Sequence, residues 1–123
     1  MRRSALGVVD SVELAHLALD IIAEKMGVNT VMLDIRPVSL LGDFFVVSSG
    51  ETERQIQAIV EGIRLQVKKD LQTLPLRIEG TASSGWVLMD YGGVIVHIFS
   101  PAMRDYYQLE ALWSDAPVVV KMQ

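Results

Sequence analysis

Residues 44 to 50 read FFVVSSG, a run that is apolar on both of the faces a strand presents. Successive side chains of a strand point to opposite sides, so this run needs cover above and below. The chain is thereby constrained to a layered arrangement, with helices packed over a sheet. Periodic segments on either side of the run can supply them. In SVELAHLALDIIAEKMG, 11 to 27, Leu14, Leu17, Ala18 and Ile21 recur at helical spacing, and Ile22 widens the stripe. Asp10 or Ser11 suits its N-cap, and Gly27 suits the left-handed residue that ends it. After the apolar run, ETERQ opens a second helix, with Thr52 and Gln55 in capping-box positions and Glu51 and Glu53 near the positive end of the dipole. Ile56, Ile59, Val60, Ile63 and Val67 form its stripe, which should reach about Leu71 and stop before Pro75.

Three further strands are expected besides FFVVSSG and the one just before it. TVMLDIR, 30 to 36, is β-branched at its start and stopped by Pro37. LRIEG, 76 to 80, precedes a small-residue loop, TASSG. GWVLMDYGGVIVHIF, 85 to 99, reads as a two-strand hairpin around Gly92-Gly93. A short helix follows in PAMRDYYQLEALWSDAP, where Tyr106, Leu109 and Trp113 fall on one side between Pro101 and Pro117. The order α-β-β-α-β-β-β-α gives one α/β domain with a mixed five-stranded sheet flanked by helices. A chain of 123 residues is enough for one such core. The domain is placed at 11–115, with a flexible N-terminus at 1–10 and a C-terminal tail at 116–123.

Charge and composition narrow the function classes. Net charge is −4, and the only basic pairs are Arg2-Arg3 and Lys68-Lys69. Without a basic stripe, direct nucleic-acid binding is disfavoured, and a basic protein partner suits the chain better. The absence of cysteine excludes disulfides and thiolate metal sites, and two histidines far apart, His16 and His97, are too few for structural zinc. No metal and no cofactor are expected. No stretch approaches about 18 uninterrupted apolar residues, so no membrane span is expected, and the N-terminus lacks an apolar run long enough for a signal peptide. A cytoplasmic compartment follows as the expectation.

The hairpin has two unlike faces. With the loop at Gly92-Gly93, Tyr91 opposes Val94, Met89 opposes Val96 and Val87 opposes Ile98, a face that must be core. The other face sets Asp90 against Ile95, Leu88 against His97 and Trp86 against Phe99. Trp86 starts its strand and Tyr91 sits at the turn; large aromatics beside an acid are what protein–protein hot spots are made of. His97 reads either as a core histidine under a covering helix or as a functional one, whereas His16 reads as a solvated helix residue.

Catalysis finds little support. Glu51 and Glu53 lie at a helix start, where acids are common for dipole reasons, and Asp34 and Asp43 are separated, with Met32 and Arg36 where Asp34 would need a carboxylate partner. Ser48-Ser49-Gly50 before a helix can cradle an anion on backbone amides, but the spacing is not that of a P-loop and no lysine follows. Ser49, His97 and Asp90 could be drawn as a nucleophile set, yet no nucleophile elbow supports it. The chain reads as a non-enzyme.

The segments LDIRP, GDFFVVSSG with the capped helix at ETERQ, IEG, GWVLMDYGGVIVHIF and RDYYQLEALW, in that order, resemble the ribosomal silencing factor (Iojap-like) family over about residues 11 to 115. The resemblance implies a nucleotidyltransferase-like fold without catalytic carboxylates, in keeping with the missing partner of Asp34. It implies docking on the large ribosomal subunit through ribosomal protein L-fourteen, hindrance of small-subunit joining, and repression of translation when nutrients run short. It places Trp86, Asp90 and Tyr91 at the partner, and Arg104 and Tyr107 match the family's R-x-x-Y pattern. Two other readings stay open: a nucleotide-binding or residual nucleotidyltransferase-like protein using Ser48 to Gly50, and a homodimer off the ribosome through the same aromatics.

Overall fold

The computed structural model describes residues 10–123, so the segment expected to be flexible lies outside the described residues except for Asp10. Asp10 caps α1 (Ser11–Glu24): its carboxylate accepts from the backbone N–H groups of Val12 and Glu13. The residue that turns left-handed after α1 is Met26 (φ 65°) and not Gly27. Gly27 is required for space instead, since a Cβ there would come within 2.6 Å of Ile22 and 2.8 Å of Ser48.

Among the described residues, six strands form one sheet in the order β3-β4-β5-β2-β1-β6. They are β1 (Val28–Asp34), β2 (Phe44–Ser49), β3 (Arg77–Glu79), β4 (Trp86–Asp90), β5 (Val94–Phe99) and β6 (Val118–Met122). Of these six strands β2 and β5 pair parallel, and the other pairings among them are antiparallel. The expected five strands are thus six. Part of the segment read as a tail, Val118–Met122, pairs with β1 from Thr30 to Leu33 and turns Val120 and Met122 onto the core.

The sheet separates two apolar layers. On one side α1 and α2 (Glu53–Leu71) lay Leu14, Ala18, Ile22, Ile56, Ile59 and Ile63 against Val46, Val87, Met89, Val94, Val96 and Ile98. On the other, Phe45, Val47, Ile95 and Phe99 are covered by Leu109, Ala116 and Trp113. β2 is buried along its whole length, as its two apolar faces require. Thr52 caps α2 by accepting from Gln55 N–H. The Gln55 side chain accepts from Glu51 N–H and donates to the carbonyls of Lys25 and Met26, which ties the start of α2 to the end of α1.

The single C-terminal helix expected from the sequence is broken in two. α3 (Pro101–Tyr107) and α4 (Leu109–Leu112) meet at Gln108, a left-handed residue (φ 51°) whose N–H closes α3 on the Arg104 carbonyl. The break turns Leu109 into the second layer and leaves Tyr106 outside it, so the proposed Tyr106–Leu109–Trp113 stripe does not form as one face.

Candidate functional site

The hairpin pairs in the expected register, Asp90 with Ile95, Leu88 with His97 and Trp86 with Phe99. Its mixed face therefore lies on the second layer, at the margin that α3 and α4 leave partly open. Two glycines place Trp86 there. Gly85 (φ 82°) ends a 3-10 turn at Ala82–Ser84, and a Cβ on it would come within 2.7 Å of Met103 and 2.8 Å of Ser100. Gly80 (φ 82°) lies against Trp86, where a Cβ would fall 2.0 Å from the Trp86 carbonyl oxygen.

The half-buried indole stacks on Phe99 with ring centroids 4.9 Å apart, and Tyr107 tilts against it at 4.6 Å. Its Nε1–H donates to His97 Nδ1 at 3.2 Å. Tyr107 is 44% exposed and meets the more exposed Tyr106 edge-on at 5.0 Å. Together Trp86, Leu88 and Tyr107 line a shallow hollow of about 270 Å³ with Glu79, Gly80 and Ser84. Beside it Arg77 on β3 reaches Glu79 at 2.8 Å and Asp90 at 3.2 Å, so two carboxylates share one guanidinium and the rim carries a net negative charge. Asp90 also accepts from Gly92 N–H at 2.8 Å, which pins the turn.

The candidate residues do not all meet. Trp86, Asp90 and Tyr107 share the open margin of the second layer. Tyr91 does not: it is 9% exposed on the opposite face, inside the layer under α1 and α2, and its hydroxyl has no partner. Burial pushes its pKa up to about 12. The expectation that Tyr91 presents an aromatic surface is corrected by the same face assignment that made Tyr91–Val94 a core pair. Arg104 is also turned inward. Its Nε and Nη2 hold the Glu110 carboxylate at 2.8 and 2.9 Å, and Nη1 donates to Ser49 Oγ at 3.0 Å, so it braces α3 and α4 against the end of β2.

The alternative sites are occupied by the fold itself. Ser48 Oγ is buried, 2.7 Å from Thr30 Oγ1, Ser49 Oγ takes the Arg104 bond, and Gly50 N–H donates to the Phe99 carbonyl. Asp34 is gripped by Arg36 through two side-chain bonds, which lower its pKa. Among the described residues, no three histidine or carboxylate side chains gather as a metal ion would need. No described helix is long and apolar enough to cross a membrane. His97 is the residue whose role the sequence left open; its bond to Trp86 joins diagonal positions across β4 and β5, a contact that residue spacing permits but does not single out.

The family model described as "Ribosomal silencing factor during starvation" matches residues 8–123. The ribosomal silencing factor of Halalkalibacterium halodurans is 39% identical over 107 residues, covering 87% of this chain and 91% of its own length. That of Bacillus subtilis is 37% identical, covering 77% and 80%. A crystal structure of a Chromobacterium violaceum protein, 32% identical, superposes with a TM-score of 0.81 over 85% of this chain and 87% of that one.

Proposed function

Because this chain belongs to the ribosomal silencing factor family, we propose that it binds the large ribosomal subunit through ribosomal protein L-fourteen, blocks joining of the small subunit and so represses translation under nutrient limitation. It works by occupancy and not by turnover, as a regulator in the cytoplasm that needs no cofactor. The observation that carries this reading is the open margin of the second layer, where Trp86, Leu88 and Tyr107 form an aromatic hollow rimmed by Glu79 and Asp90 around Arg77.

Such a margin has the anatomy of a docking surface. Half-buried aromatic rings lose water to a partner without first having to be ordered, and a rim with an excess of carboxylate steers a basic partner into register. Trp86, Tyr107 and Asp90 are the contacting residues in this account. Arg104 acts behind them by holding α3, and Tyr91 belongs to the core.

Titration of isolated ribosomal protein L-fourteen by calorimetry tests the assignment. Trp86→Ala should weaken binding about thirtyfold, the effect of about 2 kcal/mol at a buried interface tryptophan, in a protein that still folds but melts lower because the stack on Phe99 and the bond to His97 are lost. Parent-level affinity in a folded Trp86→Ala protein would overturn the placement of the surface.

A further inference from the structure

His97 lies within β5, whose six residues are all buried, and only 3% of its surface is exposed. Phe45 meets its ring edge-on at 4.8 Å, and Phe99 lies parallel at 6.3 Å. Removal from water in this aromatic layer pushes its pKa down to about 4, so the imidazole is neutral at physiological pH. Its Nδ1 accepts the indole N–H of Trp86. The proton of a neutral ring is then on Nε2, which is buried and meets no acceptor.

A leucine at this position would fill the space without a desolvated nitrogen and without an unpartnered N–H. What an imidazole does here that a hydrocarbon side chain does not is hold the Trp86 indole. The bond is not required for the backbone pairing, since β4 and β5 are in register through their own ladder. It reaches diagonally from the dry layer to the half-buried ring at the margin, the same ring that stacks on Phe99 and lines the hollow.

We infer that His97 is a positioning residue for Trp86: by accepting the indole N–H from inside the sheet's second layer, it sets the ring in its docking orientation before a partner arrives. The inference rests on the docking role proposed above for Trp86. Ordering the ring in advance removes a side-chain entropy loss from association, so its effect belongs to affinity and not to folding.

His97→Leu removes the acceptor, and His97→Asn restores one, because the amide Oδ1 stands about where Nδ1 stands. Two readouts separate the levels of the argument: the indole Nε1–H resonance of Trp86 in the free protein, with Trp113 as internal reference, and affinity for purified large ribosomal subunits beside Trp86→Ala. His97→Leu should shift the Trp86 resonance, speed its exchange with water and weaken subunit binding about fivefold, the worth of one net hydrogen bond. His97→Asn should recover most of both. An unmoved resonance, or parent-level affinity in His97→Leu while Trp86→Ala loses binding, overturns the positioning role and leaves the docking surface standing. Parent-level affinity in Trp86→Ala overturns the docking surface, and the positioning role with it. Should His97→Leu not fold, Trp86→Phe removes the N–H while keeping a ring; its affinity should fall at least as far, and parent-level affinity overturns the inference.

Discussion

Trp86 opens β4 and Tyr91 directly follows its last residue, and the odd separation sends them to opposite faces of the sheet. One ring lines an open hollow; the other is shut in the core with an unpartnered hydroxyl. Tyr91→Phe should therefore leave the protein as stable as the parent or raise its stability by up to about 1 kcal/mol, because it deletes a buried polar group that has no bond to lose. A lowered urea midpoint would contradict the burial described. His97 makes a second prediction at this scale. Its folded pKa is depressed to about 4 from the ordinary 6.5, so above 6.5 neither the folded nor the unfolded chain holds the extra proton. As pH falls from about 6.5 to about 4 the unfolded chain takes it up first, and stability is lost over that window, on the order of 3 kcal/mol in full. His97→Leu lacks this loss. Its stability relative to the parent should rise steadily between pH 7 and pH 4 in parallel denaturation curves, and a pH-independent difference would contradict the dry environment of the ring.

At the scale of the element, α3 and α4 are two short helices that pack on the second layer and are bridged across their break by one side chain. Arg104 spans the break at Gln108 to grip Glu110 and reaches across to Ser49 on β2. Arg104→Met should cost about 1–3 kcal/mol, since charge-assisted bonds are lost and the buried Ser49 hydroxyl is left unpaired. Hydrogen exchange should quicken from Pro101 to Leu112 before it does in β2; unchanged exchange there would contradict the brace. This arrangement was beyond the reach of spacing, because a six-residue step is not a helical neighbour and becomes one only once Gln108 turns left-handed. Other elements were legible. The stripe from Ile56 to Val67 and the Thr52–Gln55 pair announced α2 and its start, and the strict alternation about Gly92-Gly93 announced the register and both faces of the hairpin. β6 was missed although Val118, Val119 and Val120 are strong strand formers, because its partner is β1, at the far end of the sequence, and such pairing leaves no local mark. Within the site, Trp86 and Asp90 were legible from the hairpin's mixed face and Tyr107 from motif resemblance, whereas the grouping of Asp90 with Glu79 and Arg77 and the His97 bond emerged only when β3, β4 and β5 lay side by side.

Over the whole molecule, the two layers divide the work. α1 and α2 cover one face of the sheet and make it a stable core, while the other face is covered only in part, and its uncovered margin is where the aromatic hollow and the acidic rim lie. The chain's net charge of −4 agrees in sign with that rim, so association with a basic surface should weaken as salt is raised. In the proposed function, a chain of 13.6 kDa docking by this one margin would act through the space it fills. The most direct measurement of this account is cosedimentation with separated large and small ribosomal subunits, parent beside Trp86→Ala. Binding to the large subunit alone, lost or weakened about thirtyfold in the variant, is the predicted result. Binding to neither subunit, or equal binding of parent and variant to the large one, would contradict it.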